Sequence, residues 1–269
     1  MTSTDTSPTN VPHDSAALPS GAAMPLLGFG TWQITGATAT TAVRAALGAG
    51  YRHLDTATVY RNEAEVGAGL ADSGVDRDEV FVTTKCPPRN TGRAIETLRK
   101  SLDGLRTDHV DLWLVHWPGG EGADLDLWQE FVQARGEGLT RDIGVSNYSL
   151  DQLDELTKET GETPAVNQVE WSPLLFDRAV LDGHRDRGVV LEGYSALRGG
   201  TLDHPVIAGV AGRHGRSTAQ VIVRWHLQHG VVVIPKSEKE ERIVANAQVG
   251  DFTLSEQDMA EIDALGDAS

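Results

Sequence analysis

The chain has 269 residues with a single cysteine, and its 39 acidic against 23 basic residues leave a formal net charge of −16. A chain of this length can bury one large core, a lone thiol (Cys86) forms no internal disulfide and fits a reducing cytoplasm, and the acidic surplus repels the phosphate backbone of nucleic acid. The polar, Ser/Thr/Pro-rich start has neither the basic residues nor the apolar run of a secretion signal, and no apolar run in the chain reaches bilayer-spanning length.

A flexible segment is expected over residues 1–20, followed by one domain over 21–269. Apolar, β-branched runs predict strands at 26–30, 51–55, 80–84, 110–115, 141–145, 165–169, 188–194 and 231–234. A hairpin around Ser20–Gly21 precedes the first. Helical periodicity falls between and after the runs, at 38–47, 63–70, 92–102, 150–157, 178–187, 218–228 and 256–265. The sixth of these opens on the capping pair Ser217 and Gln220, and the last on Ser255 and Asp258. Regular alternation with nearly continuous apolar strands is the signal of a parallel sheet sheathed in helices, and eight units favour a closed (β/α)8 TIM barrel. An open doubly wound sheet is the competing architecture, but no Gly-x-Gly-x-x-Gly follows an early strand.

Polar residues stand at or just past the carboxyl ends of these runs: Asp55, Lys85, His116, Ser146, Asn147, Gln168, Tyr194, Ser195, Lys236 and Ser237. In a barrel those ends meet at one mouth, so residues far apart in sequence line one cavity. Taken alone, Tyr60 reads as a core aromatic and His116 as a satisfied core histidine. Lys85 is harder to explain away, because a cation ending an apolar strand needs an anionic partner, and Asp55 on the adjacent strand is the available one. Asn62 is the natural cap of the helix that follows Tyr60.

Asp, Tyr, Lys and His together suit carbonyl reduction. An ammonium beside a phenol favours the phenolate and so eases proton donation from Tyr60, Asp55 holds Lys85 charged, and His116 polarises the carbonyl oxygen. The side chains offer no hydride, which points to a nicotinamide cofactor. Tyr194 offers a flat face for its ring, Asn147 and Gln168 suit its carboxamide, Ser195 and Leu197 lie along its pyrophosphate, and the loop carrying Lys236 sits where barrels often bind phosphate.

The phrases "MPLLGFGTW", "YRHLDTATVYRNEAEVG", "VTTK", "LVHWP", "IGVSNY", "NQVEWSP" and "ERIVAN" resemble, in order, the signatures of the aldo-keto reductases, NADPH-dependent carbonyl reductases built on a (β/α)8 barrel. The resemblance implies a catalytic tetrad of Asp55, Tyr60, Lys85 and His116. It implies that Ser146, Asn147 and Gln168 hold the nicotinamide amide, that Tyr194 stacks on the ring, and that Lys236, Ser237, Arg242 and Asn246 hold the 2′-phosphate and adenine. Thr31 is counted with the cofactor contacts, and Trp32 and Trp117 with His116 at the substrate pocket. Ala245 departs from the glutamate usual in the family, which removes one adenine-side contact. The phrasing is most similar to the bacterial branch that includes 2,5-diketo-D-gluconate reductases.

The expected protein is therefore a cytoplasmic monomer taking NADPH/NADP+ and a small carbonyl substrate, with no metal, nucleic acid or membrane partner. Two other functions are open to the same barrel, a metal-dependent hydrolase using His53, Asp55, Lys85 and His116, and a cofactor-binding regulator. An imine-forming role for Lys85 is a further alternative.

Overall fold

The computed structural model describes residues 10–120 and 124–266, so the first nine positions of the expected flexible segment, with residues 121–123 and 267–269, lie outside the described residues. The described chain enters through an antiparallel hairpin of β1 (Ser15–Ala17) and β2 (Ala23–Pro25). Its turn uses Gly21 at φ 87°, a backbone state that costs glycine little. Ser20 at the turn gives its backbone N–H and its hydroxyl to the buried Asp142 carboxylate, which fastens the hairpin over the amino-terminal end of the sheet. The boundary expected at residue 21 thus falls inside this hairpin, and the ordered domain starts no later than Ser15.

Eight parallel strands follow: β3 (Phe29–Gly30), β4 (His53–Asp55), β5 (Phe81–Cys86), β6 (Val110–Val115), β7 (Thr140–Ser146), β8 (Val166–Glu170), β9 (Val190–Tyr194) and β10 (Val232–Val233). Each pairs with the next in sequence order. The ring closes through Leu27 beside Val233, with Val233 N–H donating to the Leu26 carbonyl at 2.8 Å and Gly28 N–H to the Val233 carbonyl at 2.9 Å. The result is the (β/α)8 barrel. Gly28 is needed at this seam, since a Cβ there would lie 2.6 Å from the His53 ring inside the barrel.

The outer layer comprises α1 (Ala37–Gly48), α2 (Glu63–Ala71), α3 (Ala94–Leu105), α4 (Leu125–Gly136), α5 (Leu150–Thr160), α6 (Arg178–Asp186), α7 (Pro205–His214), α8 (Thr218–Gln228), α9 (Glu240–Ala247) and α10 (Glu256–Asp263). Capping boxes at Ser217/Gln220 and Ser255/Asp258 start α8 and α10 as their sequences predict. Three helices, α4, α7 and α9, were not among the predicted ones. α4 forms because Leu127, Trp128, Phe131 and Ala134 make one buried face, with Phe131 stacked on Trp113 of β6 at 3.6 Å between ring centroids. No helix among the described residues is long and apolar enough to cross a membrane.

Parallel pairing puts residues of equal height on the same face. Asp55 stands beside Thr83, Lys85 beside Leu114, Ser146 beside Gln168, and Gln168 beside Glu192. The carboxyl end of the barrel interior therefore gathers polar groups from successive strands.

Candidate active site

At the floor of the mouth the Lys85 ammonium, fully buried, donates to both Asp55 carboxylate oxygens at 2.6 and 2.7 Å and to the Thr56 carbonyl at 2.9 Å. Gln168 Nε2 adds a bond to Asp55 Oδ2 at 2.8 Å. Burial works against the Lys85 charge, but the Asp55 carboxylate, with Tyr60 and Glu192, more than offsets it and raises the Lys85 pKa overall. All donors of this ammonium point at protein acceptors, which leaves it poorly placed to form an imine.

Tyr60 closes a single 3₁₀ turn, Thr58–Tyr60, pinned to β5 by the Thr58 hydroxyl on the Lys85 carbonyl at 2.8 Å. Its ring lies 5.2 Å from Lys85 Nζ and 5.7 Å from the His116 ring, edge to face. Burial pushes the Tyr60 phenol above its ordinary value, and Lys85 opposes that shift without reversing it. The ammonium acts in the direction expected from the sequence, but the net shift is upward. Burial wins because the phenolate would lose more hydration than one already paired ammonium restores. His116 is pushed down to about 3, first by burial and then by the charges of Lys85 and Arg89, so its ring is neutral at pH 7 and keeps one N–H to donate.

Asn62 was expected to cap α2, but its side chain does not. It is buried, accepts from the Thr56 hydroxyl at 3.1 Å and donates to the Thr31 and Ile34 carbonyls at 2.9 and 2.8 Å, locking the loop around Tyr60.

Tyr60 and His116 open into an elongated cavity of about 1380 Å³ that extends to Lys236, Ser237, Arg242 and Asn246. Trp32 and Trp117, both well exposed, form part of its wall, as do Ser146, Asn147, Gln168, Tyr194, Ser195 and Leu197. Thr31 does not line it. That side chain is buried, and its hydroxyl donates to the Asp55 carbonyl at 2.9 Å, so it braces the end of β4 and is corrected from a cofactor contact to a support. Asn147 and Ser195 are held at φ 64° and 58°, left-handed states that ordinary residues adopt at a cost of roughly 1 kcal/mol or more. Tyr194 Oη donates to Asn147 Oδ1 at 2.8 Å, and Asn147 Nδ2 to Ser146 Oγ at 2.9 Å, tying three of these groups together.

The cavity fits a nicotinamide dinucleotide. It exceeds the size of a drug-sized pocket, about 300–1,000 Å³, and at its far end the Arg242 guanidinium and the Asn246 amide have no hydrogen-bond or ion-pair partner among the described residues. Ser217, Thr218 and Ala219, at the start of α8, also reach this end and were missed in the sequence, where they read only as a helix cap.

Two further features were missed. Below Asp55, Glu192 of β9 is fully buried with neither carboxylate oxygen hydrogen-bonded among the described residues, and its Oε1 lies 3.9 Å from His53 Nε2. Burial, then the Asp55 charge, raises the Glu192 pKa, while burial pushes His53 down to about 4. His53 bonds to Thr83 Oγ1 at 3.1 Å and the Pro25 carbonyl at 3.3 Å, and no group of three or more His, Cys, Asp or Glu among the described residues is placed to hold a metal ion. At the rim, Arg61 and Arg89 line the cavity, and Arg198 stacks on Trp32 at 4.5 Å. An acid within the apolar run of β9 and an arginine directly after Tyr60 are both legible as anomalies.

A parallel barrel with Tyr60 over a buried Lys85–Asp55 pair at its mouth and a cleft of dinucleotide size suits an oxidoreductase of the carbonyl-reducing kind. Residues 26–267 match the Aldo/keto reductase family, and the chain belongs to it. It is 44% identical over 256 residues to a glyoxal reductase from Bacillus subtilis (strain 168), covering 94% of this chain and 92% of that one. Among solved structures, an aldo/keto reductase from Brucella melitensis superposes with a TM-score of 0.90 at 39% identity, covering 95% of this chain and 99% of the other. A Bombyx mori aldo-keto reductase in complex with NADP superposes with a TM-score of 0.87 at 31% identity, covering 93% and 92%. By class the chain is an NADP-dependent enzyme of carbonyl reduction.

Proposed function

We propose that this chain reduces an aldehyde or ketone to the alcohol with Tyr60 as proton donor. The observation that carries the reading is the buried Lys85–Asp55 pair beneath Tyr60 and His116 at the floor of the cavity. A bound nicotinamide cofactor supplies hydride to the carbonyl carbon. His116 donates its N–H to the carbonyl oxygen, which orients the substrate and stabilises the charge that develops there. Tyr60 gives its phenolic proton to that oxygen. A raised pKa keeps the proton in place at neutral pH, and the phenolate left behind is stabilised by the Lys85 ammonium, which Asp55 holds in position. Lys85 and Asp55 thus tune the acid, and Trp32 and Trp117 flank the substrate.

In this reading Tyr194 stacks on the nicotinamide, Ser146, Asn147 and Gln168 hold its amide, and Ser195 and Leu197 follow the pyrophosphate. Lys236, Ser237, Arg242 and Asn246 hold the adenosine and its 2′-phosphate, giving NADPH the preference over NADH. Thr31 contributes only through the Asp55 carbonyl. The chain is read as a single-domain cytoplasmic monomer. The likeness of its phrases to the bacterial branch that includes 2,5-diketo-D-gluconate reductases supports a substrate of that class, and the name of the Bacillus relative, glyoxal reductase, supports a small dicarbonyl such as glyoxal.

The cofactor reading predicts a kcat/KM ratio for NADPH over NADH well above one. In Arg242→Ala that ratio falls by about tenfold or more, since a charge-assisted hydrogen bond contributes roughly 1.5–3 kcal/mol. A wild-type ratio near one, or a ratio that Arg242→Ala leaves unchanged, would show that this end of the cleft does not read a phosphate.

A further inference from the structure

We propose that Arg61 and Arg89 form an anion-selecting rim, so that the preferred substrate carries a carboxylate or similar anionic group beyond the reacting carbonyl. The inference rests on the reductase reading and deepens it by assigning a substrate class.

Both side chains line the cavity that holds Tyr60 and His116, and neither makes a hydrogen bond or ion pair among the described residues. This occurs in a chain with a 16-charge acidic surplus, where most surface cations find a carboxylate. Among the described residues, two carboxylates line the cavity. Asp55 is committed to Lys85, and Glu170 sits at the end of β8 beside Tyr194, on the other side of the mouth. Among the described residues, no carboxylate pairs with either guanidinium.

Their placement is fixed by the backbone. Arg61 is held at φ 57° between Tyr60 and the triply bonded Asn62, with its N–H on the Thr58 carbonyl. Arg89 belongs to a short 3₁₀ turn, Pro88–Asn90, entered through Pro87, and two successive prolines restrict where it stands. The Arg89 charge reaches His116 strongly enough to help keep that imidazole neutral, so an anion next to Arg89 would sit within electrostatic range of the reacting carbonyl. The same cavity is lined by the apolar or aromatic Val59, Pro87, Trp32 and Trp117. The matching ligand is a carbonyl on an apolar or aromatic body with an anionic end, whose planar carboxylate a guanidinium grips bidentately.

The test compares 4-carboxybenzaldehyde with methyl 4-formylbenzoate, near-identical in shape and differing in charge, using NADPH and the full chain. The wild type is expected to favour the acid in kcat/KM by about tenfold or more, a preference that weakens as salt screens the rim. Arg89→Gln should remove much of that preference and Arg61→Gln/Arg89→Gln nearly all of it, read as the acid-to-ester ratio of kcat/KM within each variant. Equal wild-type efficiency for acid and ester, or an acid preference unchanged in both variants, would overturn the proposal while leaving the reductase reading intact. Absence of turnover with either compound would overturn the reductase reading and the proposal with it.

Discussion

The two ends of the barrel treat buried acids in different ways. At the hairpin end, Asp142 accepts from Ser20 twice, and Asp111 accepts from Val82 N–H and Arg77 at 2.9 Å each with Arg141 at 3.4 Å. At the mouth, Asp55 is saturated by Lys85 and Gln168, yet directly below it Glu192 has no hydrogen bond, and the Arg61, Arg89 and Arg242 side chains above have no partner among the described residues. A buried polar group without a partner costs stability, and the free guanidiniums stand at the end where a ligand would meet them. One end holds the barrel shut. The other holds chemistry ready, and the strained Asn147 and Ser195 backbones lie there as well.

The contrast predicts a graded response. Lys85→Met should have the largest effect on both stability and turnover, because it leaves Asp55 buried and unpaired, a loss of about 3–5 kcal/mol. Denaturant unfolding together with kcat would register both. A stable variant with normal turnover would break the contrast at its strongest point.

Glu192→Gln should act in the opposite direction. Because the Glu192 pKa is raised in the fold, the folded chain keeps a proton that the unfolded chain releases as pH passes the ordinary carboxyl range. This group's contribution to stability therefore falls as pH rises from its unfolded toward its folded value. Glutamine, neutral at every pH, should raise stability near pH 7 by about 1–3 kcal/mol and by little near pH 4. Melting curves at both pH values would test it, and an equal shift at both would mean the carboxyl carries no unfavourable ionisation.

Ser20→Ala, at the closed end, should cost about 1 kcal/mol by removing one bond to Asp142 while leaving kcat unchanged. A fall in kcat without a fall in stability would show that the two ends are not separable.

Much of this division is legible along the chain. The eight strands appear as apolar runs because both faces of each are covered, and Asp55, Lys85 and His116 stand out because they end such runs. What escaped depends on depth. The Tyr60 shift is decided by burial that no local spacing encodes, and the Thr31 hydroxyl and Asn62 amide turn inward to bonds made only once β4 meets its neighbours. Other omissions had local signals. The α4 face Leu127, Trp128, Phe131, Ala134 is periodic in plain sequence, and Glu192 interrupts an apolar strand where an acid needs a reason.

The most direct test of the central claim is a single-turnover reduction with NADPH, comparing the wild type with Tyr60→Phe, with the cofactor Kd measured on the same samples. The phenolic proton has no substitute at the floor of the cavity, whereas the cofactor contacts come from other strands. Tyr60→Phe is expected to keep the wild-type Kd and lose about 10²–10⁴-fold in rate, the usual contribution of a positioned acid. A rate near wild type, with Kd unchanged, would contradict Tyr60 as the proton donor.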